Sequence, residues 1–568
     1  MIFLLTIFFV LSSFHQSYGI NEFTTTQNID YQFSDTGTAL VNHKISIYNN
    51  FSQFYPKEYS LTLTGTNATD IQTYDEMGNI PTQITQNNNT IKLSLTLSNP
   101  KTGKDQVTAF NIRYKSNSLS QKKGKTWEIS LPQFQDSLGA NTNMNLNIPT
   151  SFGKLSSSPN KAIISTTPQG TNLNFTKFNS QEKFILTFGD YQLFNFELNF
   201  HLQNSTDQSS LLSIPLPPDT ANQKIFFEKI EPLPLKIEND IDGNWLAVYE
   251  LASQSNIDVT AKGQAKIGQN INYQNNSKPI LENQLYWPID NSEILNLSKT
   301  YNTPKKIYDY VVSTLSYDYN RINNSARRGA LKALENPETS LCTDFTDLFV
   351  TVARSAGIGA REIEGYAYSN NTNIKPLLTG TDILHAWPEY YDSKNNKWIS
   401  IDPTWAKTTG GINYFDDLDL NHFAFVIHNS KSDSPSPPGS YKTSPNQKSV
   451  DISFAQIETI PVAKNPIITT KFNPFSKSYL IVKNPNLFTL DNFSIPNQEP
   501  KNILPLGEIT LDFPKISFYS SLLTKNQNIK ISETITIQNP YHFLNLFIVI
   551  ISGIILLSFG AIILLRHK

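Results

Sequence analysis

The 568-residue sequence holds one cysteine, Cys342. A lone cysteine excludes an intramolecular disulfide, so each domain has to stand on an ordinary hydrophobic core. Charge is scarce too, at 17% of residues with a formal net charge of −2. With no long basic run, a nucleic-acid partner is not expected. The N-terminal half lacks His, Asp and Glu clustered at metal-ligand spacing, and Asp416-Asp-Leu-Asp does not match the spacing of an EF-hand loop. No metal or cofactor is therefore expected.

What is present suits several packed domains. The chain is 39% hydrophobic and 12% aromatic, and its length allows about three or four domains. Residues 1–19 are an apolar run followed by small and polar residues, with Ser17-Tyr-Gly as a cleavage site. They read as a secretory signal peptide, an uncleaved anchoring helix being the alternative. At the other end, residues 543–565 form a 23-residue apolar segment whose only strongly polar side chain is Asn545. That is long enough for one transmembrane helix across a bilayer core of about 30 Å. The basic tail 566–568 puts the C-terminus in the cytoplasm and the body outside, in a single-pass protein of the cell membrane.

Between these ends the pattern is mostly β. Alternation runs through Val41, His43, Ile45 and Ile47, through Ile91 to Leu97, and through Phe194 to Leu202. One apolar face per strand predicts N-terminal all-β sandwich domains, 20–150 and 151–285, divided at Pro149 and the Ser/Pro/Asn-rich 155–160. His43 and His201 read as ordinary strand residues. The sequons at Asn67, Asn88, Asn174, Asn204 and Asn296 are what a chain rich in Asn, Ser and Thr produces by chance. Residues 431–449, with Pro and Ser at their centre, read as a linker, and 450–540 as a small β domain acting as a stalk.

The chemistry concentrates between Thr339 and Trp405. Cys342 is followed 43 residues later by His385 and 17 later by Asp402. A free thiol has a pKa of about 8.5, so a neighbour must activate it. Histidine can take and return the proton, and a carboxylate can fix the histidine's tautomer. After Ser340 as N-cap, Phe345, Leu348, Phe349, Val352, Ala353 and Ala356 recur at helical spacing, and Gly357 supplies the stop. Cys342 thus falls in the first turn of a helix, where unpaired N–H groups favour a thiolate and can bind an oxyanion.

His385 and Asp402 lie on two strand-like runs, 383–391 and 397–402, joined by the turn-rich 392–396. One register sets His385 directly opposite Asp402; another sets Trp387 opposite Asp402. Either leaves His385 and Asp402 on one face. Thr303-Pro304 starts an upstream helix whose apolar face is Ile307, Val311 and Leu315, and a short helical run spans 326–334. Trp287, Trp387, Trp398 and Trp405 read as packing first and as a cleft rim second. Glu362, Glu364 and Glu389 read as solvated faces or structural ion pairs. His422 and His428 rank below His385, because neither stands in a His-Ala-Trp context.

The runs Leu341-Cys-Thr-Asp-Phe-Thr-Asp-Leu-Phe, Ala353-Arg-Ser-Ala-Gly-Ile-Gly-Ala-Arg with Glu364-Gly-Tyr, His385-Ala-Trp and Trp398-Ile-Ser-Ile-Asp-Pro-Thr resemble the transglutaminase-like superfamily. The resemblance extends upstream to Ile307-Tyr-Asp-Tyr-Val and Leu315-Ser-Tyr-Asp-Tyr and covers roughly residues 290–430. It implies a central α+β, papain-like transglutaminase core over 286–430, with Cys342 as nucleophile, His385 as general base and acid, and Asp402 as its orienting partner. Tyr317 and Trp287 are the candidates for a second oxyanion donor. Ser340-Leu-Cys-Thr departs from the Gly-Gln-Cys-Trp of animal crosslinking members and is closer to microbial ones, which include peptidases and amidases. The expectation is a membrane-anchored, outward-facing cysteine enzyme acting on protein or peptide amide bonds of the cell envelope. Hydrolysis is slightly favoured over amine transfer. The alternatives are a protein-crosslinking transglutaminase and a non-catalytic surface protein on an inactive scaffold.

Overall fold

The computed structural model describes residues 22–559 except 88–89, 139, 159–161, 179–183, 270, 272–276, 324–325, 370–374, 380–381, 410–411, 417, 445, 460, 472–478, 494–498, 513–528, 531–535 and 538–549. The expected signal peptide lies outside the described residues, as does most of the expected membrane segment. Of the latter, 550–559 are helical. Among the described residues, no helix is long and apolar enough to cross a membrane.

The chain divides into two compact units, the first drawn from Met1–Gln121, Glu128–Phe152 and Asn160–Ile185. In it an eight-stranded sheet, centred on Phe23–Phe33 and Ala39–Asn49, faces a four-stranded sheet built on Glu58–Thr64 and Thr90–Thr96. The period-two pattern explains the packing: Val41, Ile45 and Ile47 of one sheet and Leu61, Leu93 and Leu95 of the other are all buried. Each such side chain contributes roughly 1.5–3 kcal/mol. His43 shares the inward face, and burial drops its pKa to about 3, so it sits there as a neutral strand residue. The division drawn at residue 150 falls inside this unit. Asn141–Pro149 and Gly170–Phe178 pair antiparallel across it, so Pro149 ends a strand and does not begin a linker.

In the second unit, strands Gln223–Glu231, Ser255–Gly268, Tyr191–Asn204 and Val450–Phe454 make one sheet and Ser210–Leu216, Trp245–Leu251 and Lys236–Asn239 another. Val450–Phe454 therefore belongs here and not to the C-terminal stalk. The expected linker is built in as well: Ser432 and Ser449 are buried, and the Asp382 carboxylate accepts the N–H groups of Ser449 and Val450 at 2.8 and 2.7 Å. Farther on, Ile467–Lys471, Tyr479–Lys483 and Glu508–Asp512 form a small sheet over Leu480, Val482, Ile503 and Leu511.

The same unit holds helices α1 (Ser292–Thr300), α2 (Pro304–Thr314), α3 (Ala330–Glu335), α4 (Cys342–Ser355) and α5 (Pro403–Thr409). Beside them lies a five-stranded sheet of β1 (Ala360–Ala367), β2 (Leu378–Thr379), β3 (Ile383–Asp392), β4 (Lys397–Ser400) and β5 (His422–His428), in the order β2-β3-β1-β5 with β4 on β3. Helix α4 packs on β3 and β1 and is buried all round from Cys342 to Arg354, the mark of a central helix. Its start is held by Asp344, whose carboxylate accepts the Leu341 N–H at 2.8 Å, so the N-cap is Leu341 and not Ser340. Its end is Gly357 at φ +77°, which lets Ile358 donate back to the Ala353 carbonyl at 2.9 Å.

The open edge of β5 is closed by side chains. Gln223 exchanges two hydrogen bonds with the Ala424 backbone, at 2.9 and 2.8 Å, and Asn244 does the same with Ile427 at 2.8 and 2.7 Å. Tyr366, Phe423, Phe425 and Val426 join one core with Phe194, Phe196 and Phe227. The expected break at 285/286 is thus crossed by a continuous core.

Gly365 pairs with His385 across β1 and β3, at the point where β1 slips register against β5. A Cβ there would stand 2.1 Å from the Phe423 carbonyl oxygen. Gly365→Ala is expected to push β5 away and cost about 1–3 kcal/mol. Urea unfolding reads this directly, and a midpoint equal to wild type would contradict it.

Candidate active site

Cys342 is the first residue of α4, so its neighbouring N–H groups have no helical partner. The amides of Thr343 and of Ala386 on β3 lie at its sulfur and favour the thiolate. Burial outweighs them. The side chain is 0% exposed, and desolvation pushes the thiol well above its ordinary value. Burial thus works against the thiolate that the start of α4 favours.

His385 is also buried, and its Nε2 donates to Asp402 Oδ2 at 2.9 Å. Among the described residues its Nδ1 has no hydrogen-bond partner. The imidazole stacks on Trp405 at 5.0 Å and 20°, with Trp387 at 6.0 Å and 25° on the ring system. These two indoles pack the histidine. The β3–β4 register pairs Glu389 with Ser400, and Ile401 donates to Pro388. Continued one step, it is the register that brings Trp387 opposite Asp402.

Asp402 holds both the site and a helix. Its backbone N–H goes to the Tyr414 carbonyl at 3.0 Å, and its Oδ1 accepts the Trp405 N–H at 3.0 Å, capping α5. Burial alone would raise its pKa, but the His385 charge and the hydrogen bonds of two histidines bring it to about 2.

The second histidine is His422, which the sequence reading ranked below His385. Its Nε2 lies 3.4 Å from the same Asp402 Oδ2, and its Nδ1 2.9 Å from Asp419 Oδ1. The signal was the spacing Asp419-Leu-Asn-His422, but the loop around it reads as a solvated turn. His428 takes a different role, donating to Glu362 at 2.9 Å.

Of the two oxyanion candidates, Trp287 is committed elsewhere, since its Nε1 donates to Asp347 at 2.7 Å. The Tyr317 hydroxyl is buried without a partner among the described residues. Burial first and then the Cys342 charge raise its pKa, which sets it near the sulfur. The segment before Cys342 fixes it there, as Ser340 donates to the Ser316 carbonyl and Asp318 to the Ser340 carbonyl.

The acidic residues near the motifs are structural ion pairs. Glu389 takes Arg361 at 2.7 Å, while Arg327 joins Asp347 of α4 to Glu362 of β1. Among the described residues two sets, His385/Asp402/His422 and Glu362/Glu364/His428, gather donor atoms within 4.8 Å. Hydrogen bonds from both rings occupy the first, and Arg327 and His428 neutralise the second.

Residues 291–403 match the family model of the transglutaminase-like superfamily. No curated protein matches the chain. Among solved structures, it is similar to a candidate cysteine protease from Cytophaga hutchinsonii at 13% identity, over 46% of this chain and 86% of that one, with a TM-score of 0.32. The periplasmic domain of TgpA from Pseudomonas aeruginosa, bound to ethylmercury, is 12% identical over 38% and 90%, with a TM-score of 0.21. A candidate protease from Parabacteroides distasonis is 9% identical over 71% and 72%, with a TM-score of 0.16. Likenesses this distant carry no function. The matched segment contains Cys342, His385 and Asp402, and over it the chain carries a transglutaminase-like superfamily domain.

Proposed function

We propose that this chain is a cysteine enzyme that acts on protein or peptide amide bonds through a thioester on Cys342. The observation that carries the reading is His385, whose Nε2 is fixed by Asp402 at 2.9 Å while its Nδ1 has no partner among the described residues, on the strand whose next amide meets the Cys342 sulfur. The Cys342 proton passes to Nδ1 as Sγ attacks the carbonyl carbon. The oxyanion is met by N–H groups at the start of α4 and by the Tyr317 hydroxyl. The C–N bond breaks, Nδ1 returns the proton to the departing amine, and a thioester remains. Water or an amine then attacks the thioester carbonyl as His385 takes its proton; the C–S bond breaks, the proton returns to Cys342 Sγ, and a carboxylic acid or a new amide is released.

Hydrolysis is slightly favoured over transfer, because the nucleophile motif is closer to microbial members of the family. Because Sγ is buried, substrate binding is coupled to an opening of the site. Residues 543–565 anchor the protein with its body outside the cell, so its substrates are proteins or peptides of the envelope.

The test measures labelled-amine incorporation into a glutamine-bearing protein alongside cleavage of a peptide library, with Cys342→Ala as control. Turnover in either assay that disappears in Cys342→Ala is the expected result; equal signals from both proteins would defeat it. The burial of Cys342 favours a second reading, a non-catalytic surface scaffold. Blank assays together with a thiol that resists iodoacetamide would select it.

A further inference from the structure

We propose that His422 is a positioning residue for His385: a buried imidazolium clamped between Asp402 and Asp419 that holds the shared carboxylate in place and sets a second positive charge against His385. The inference rests on the reading of Cys342 and His385 given above.

The geometry fixes the proton count. Both nitrogens of His422 face carboxylate oxygens, Nε2 towards Asp402 Oδ2 at 3.4 Å and Nδ1 towards Asp419 Oδ1 at 2.9 Å. A carboxylate only accepts, so both nitrogens have to donate, and a ring that donates twice is a cation. Burial opposes that charge, but Asp419 and Asp402 outweigh it and hold the His422 pKa up at about 9.

The row continues beyond His422. Asp419 accepts from Lys375 at 3.2 Å and from the Asn421 N–H at 3.0 Å. Lys375 Nζ lies 5.0 Å from the centre of the Trp405 ring, which stacks on His385. Other titratable groups nearby are Tyr414, which contacts Lys375, Tyr308 and Cys342, which feel the Asp402 charge, and Glu389, which is tied to Arg361. Asp402, His422, Asp419 and Lys375 thus form two anions and two cations with no net charge. His385 therefore shares its carboxylate oxygen, standing at 2.9 Å while His422 stands at 3.4 Å.

This is a tuning device. Asp402 alone would favour an imidazolium at His385, and a protonated His385 cannot accept the Cys342 proton. With ring centres 5.8 Å apart, the His422 charge opposes a second positive charge on His385. The same charge makes the imidazolium formed during attack a stronger acid towards the departing amine. A cavity of about 60 Å³, with His422, Asp419, Trp387 and Gln223 in its lining, has room for water beside the clamp.

The test is a histidine ¹⁵N NMR titration of the full chain carrying Cys342→Ala, with His385→Gln for assignment. Adding His422→Gln is expected to raise the His385 pKa by about one to two units, and Asp419→Asn to raise it by less. Unchanged His385 titration in folded variants would overturn the proposal and leave His422 a packing residue. Should His422→Gln not fold, the parent still decides. Two protonated nitrogens on His422 at pH 7.5 support the clamp, and a single neutral tautomer defeats it. These readouts need no turnover, so they stand apart from failure of the enzymatic reading. In the active protein, His422→Gln is expected to lower kcat about tenfold or more with KM little changed, and to shift the acid limb of kcat/KM upward.

Discussion

Asp402→Asn is expected to lower kcat by about 10²- to 10⁴-fold. The carboxylate accepts from both His385 and His422 through one oxygen, while its other oxygen caps α5. An amide can keep the cap through its carbonyl, but it turns N–H groups towards two rings that already donate. His385 then flips tautomer or loses its orientation, and Nδ1 no longer stands ready for the Cys342 proton. The variant is expected to lose about 3–5 kcal/mol as well, because His422 keeps a buried charge with one counterion fewer. Steady-state kinetics and urea unfolding check the two halves, and kcat within threefold of wild type would remove Asp402 from the mechanism.

The same pair ties stability to pH. Asp402 is depressed to about 2 from an unfolded value of about 3.9, so its contribution is complete above pH ~4 and disappears as pH falls through about 2. His422 is raised to about 9 from about 6.5 unfolded; its contribution is complete below pH ~6.5 and is lost as pH rises through about 9. Stability should therefore plateau between those limits, and Asp402→Asn should flatten both flanks.

Arg327→Met is expected to destabilise the fold by about 3–5 kcal/mol, with little direct effect on chemistry in whatever remains folded. The guanidinium forks onto Asp347 of α4, reaches Glu362 of β1 at 2.8 Å, and donates to the Ser432 carbonyl at 2.6 Å. Glu364 stands 3.9 Å away, and the Tyr286 ring lies 4.4 Å beneath. Methionine fills part of the volume but strands three acidic side chains away from water. Arg327→Lys should fall between, since it restores charge without the planar fork. Equilibrium unfolding checks the order, and a loss below about 1 kcal/mol for Arg327→Met would contradict it.

Much of the site was legible because its elements are local. The spacing of Phe345, Leu348, Phe349 and Val352 announces α4, and the two runs around 392–396 announce the β3–β4 hairpin. The register was open because the turn decides it: Asn396 adopts φ +52°, and Asp392 accepts the Lys394 N–H, choices that alternation cannot show. His422 was passed over because its meaning depends on Asp402, 20 residues away and on another element. Residues 431–449 looked like a linker on composition, yet their backbone is held by groups distant in the chain: Ser432 by Arg327, Pro435 by His428, and Ser449 by Asp382. Proline content shows that a segment is irregular, not that it is loose.

The carboxamides of Gln223 and Asn244 do for β5 what a neighbouring strand would otherwise do. A motif-bearing piece of this chain cut free at residue 286 would present a raw, adhesive margin in place of that seal. The part that carries the chemistry is therefore not portable: it travels with the strands before it, and its unit of inheritance is larger than the stretch by which its family is recognised.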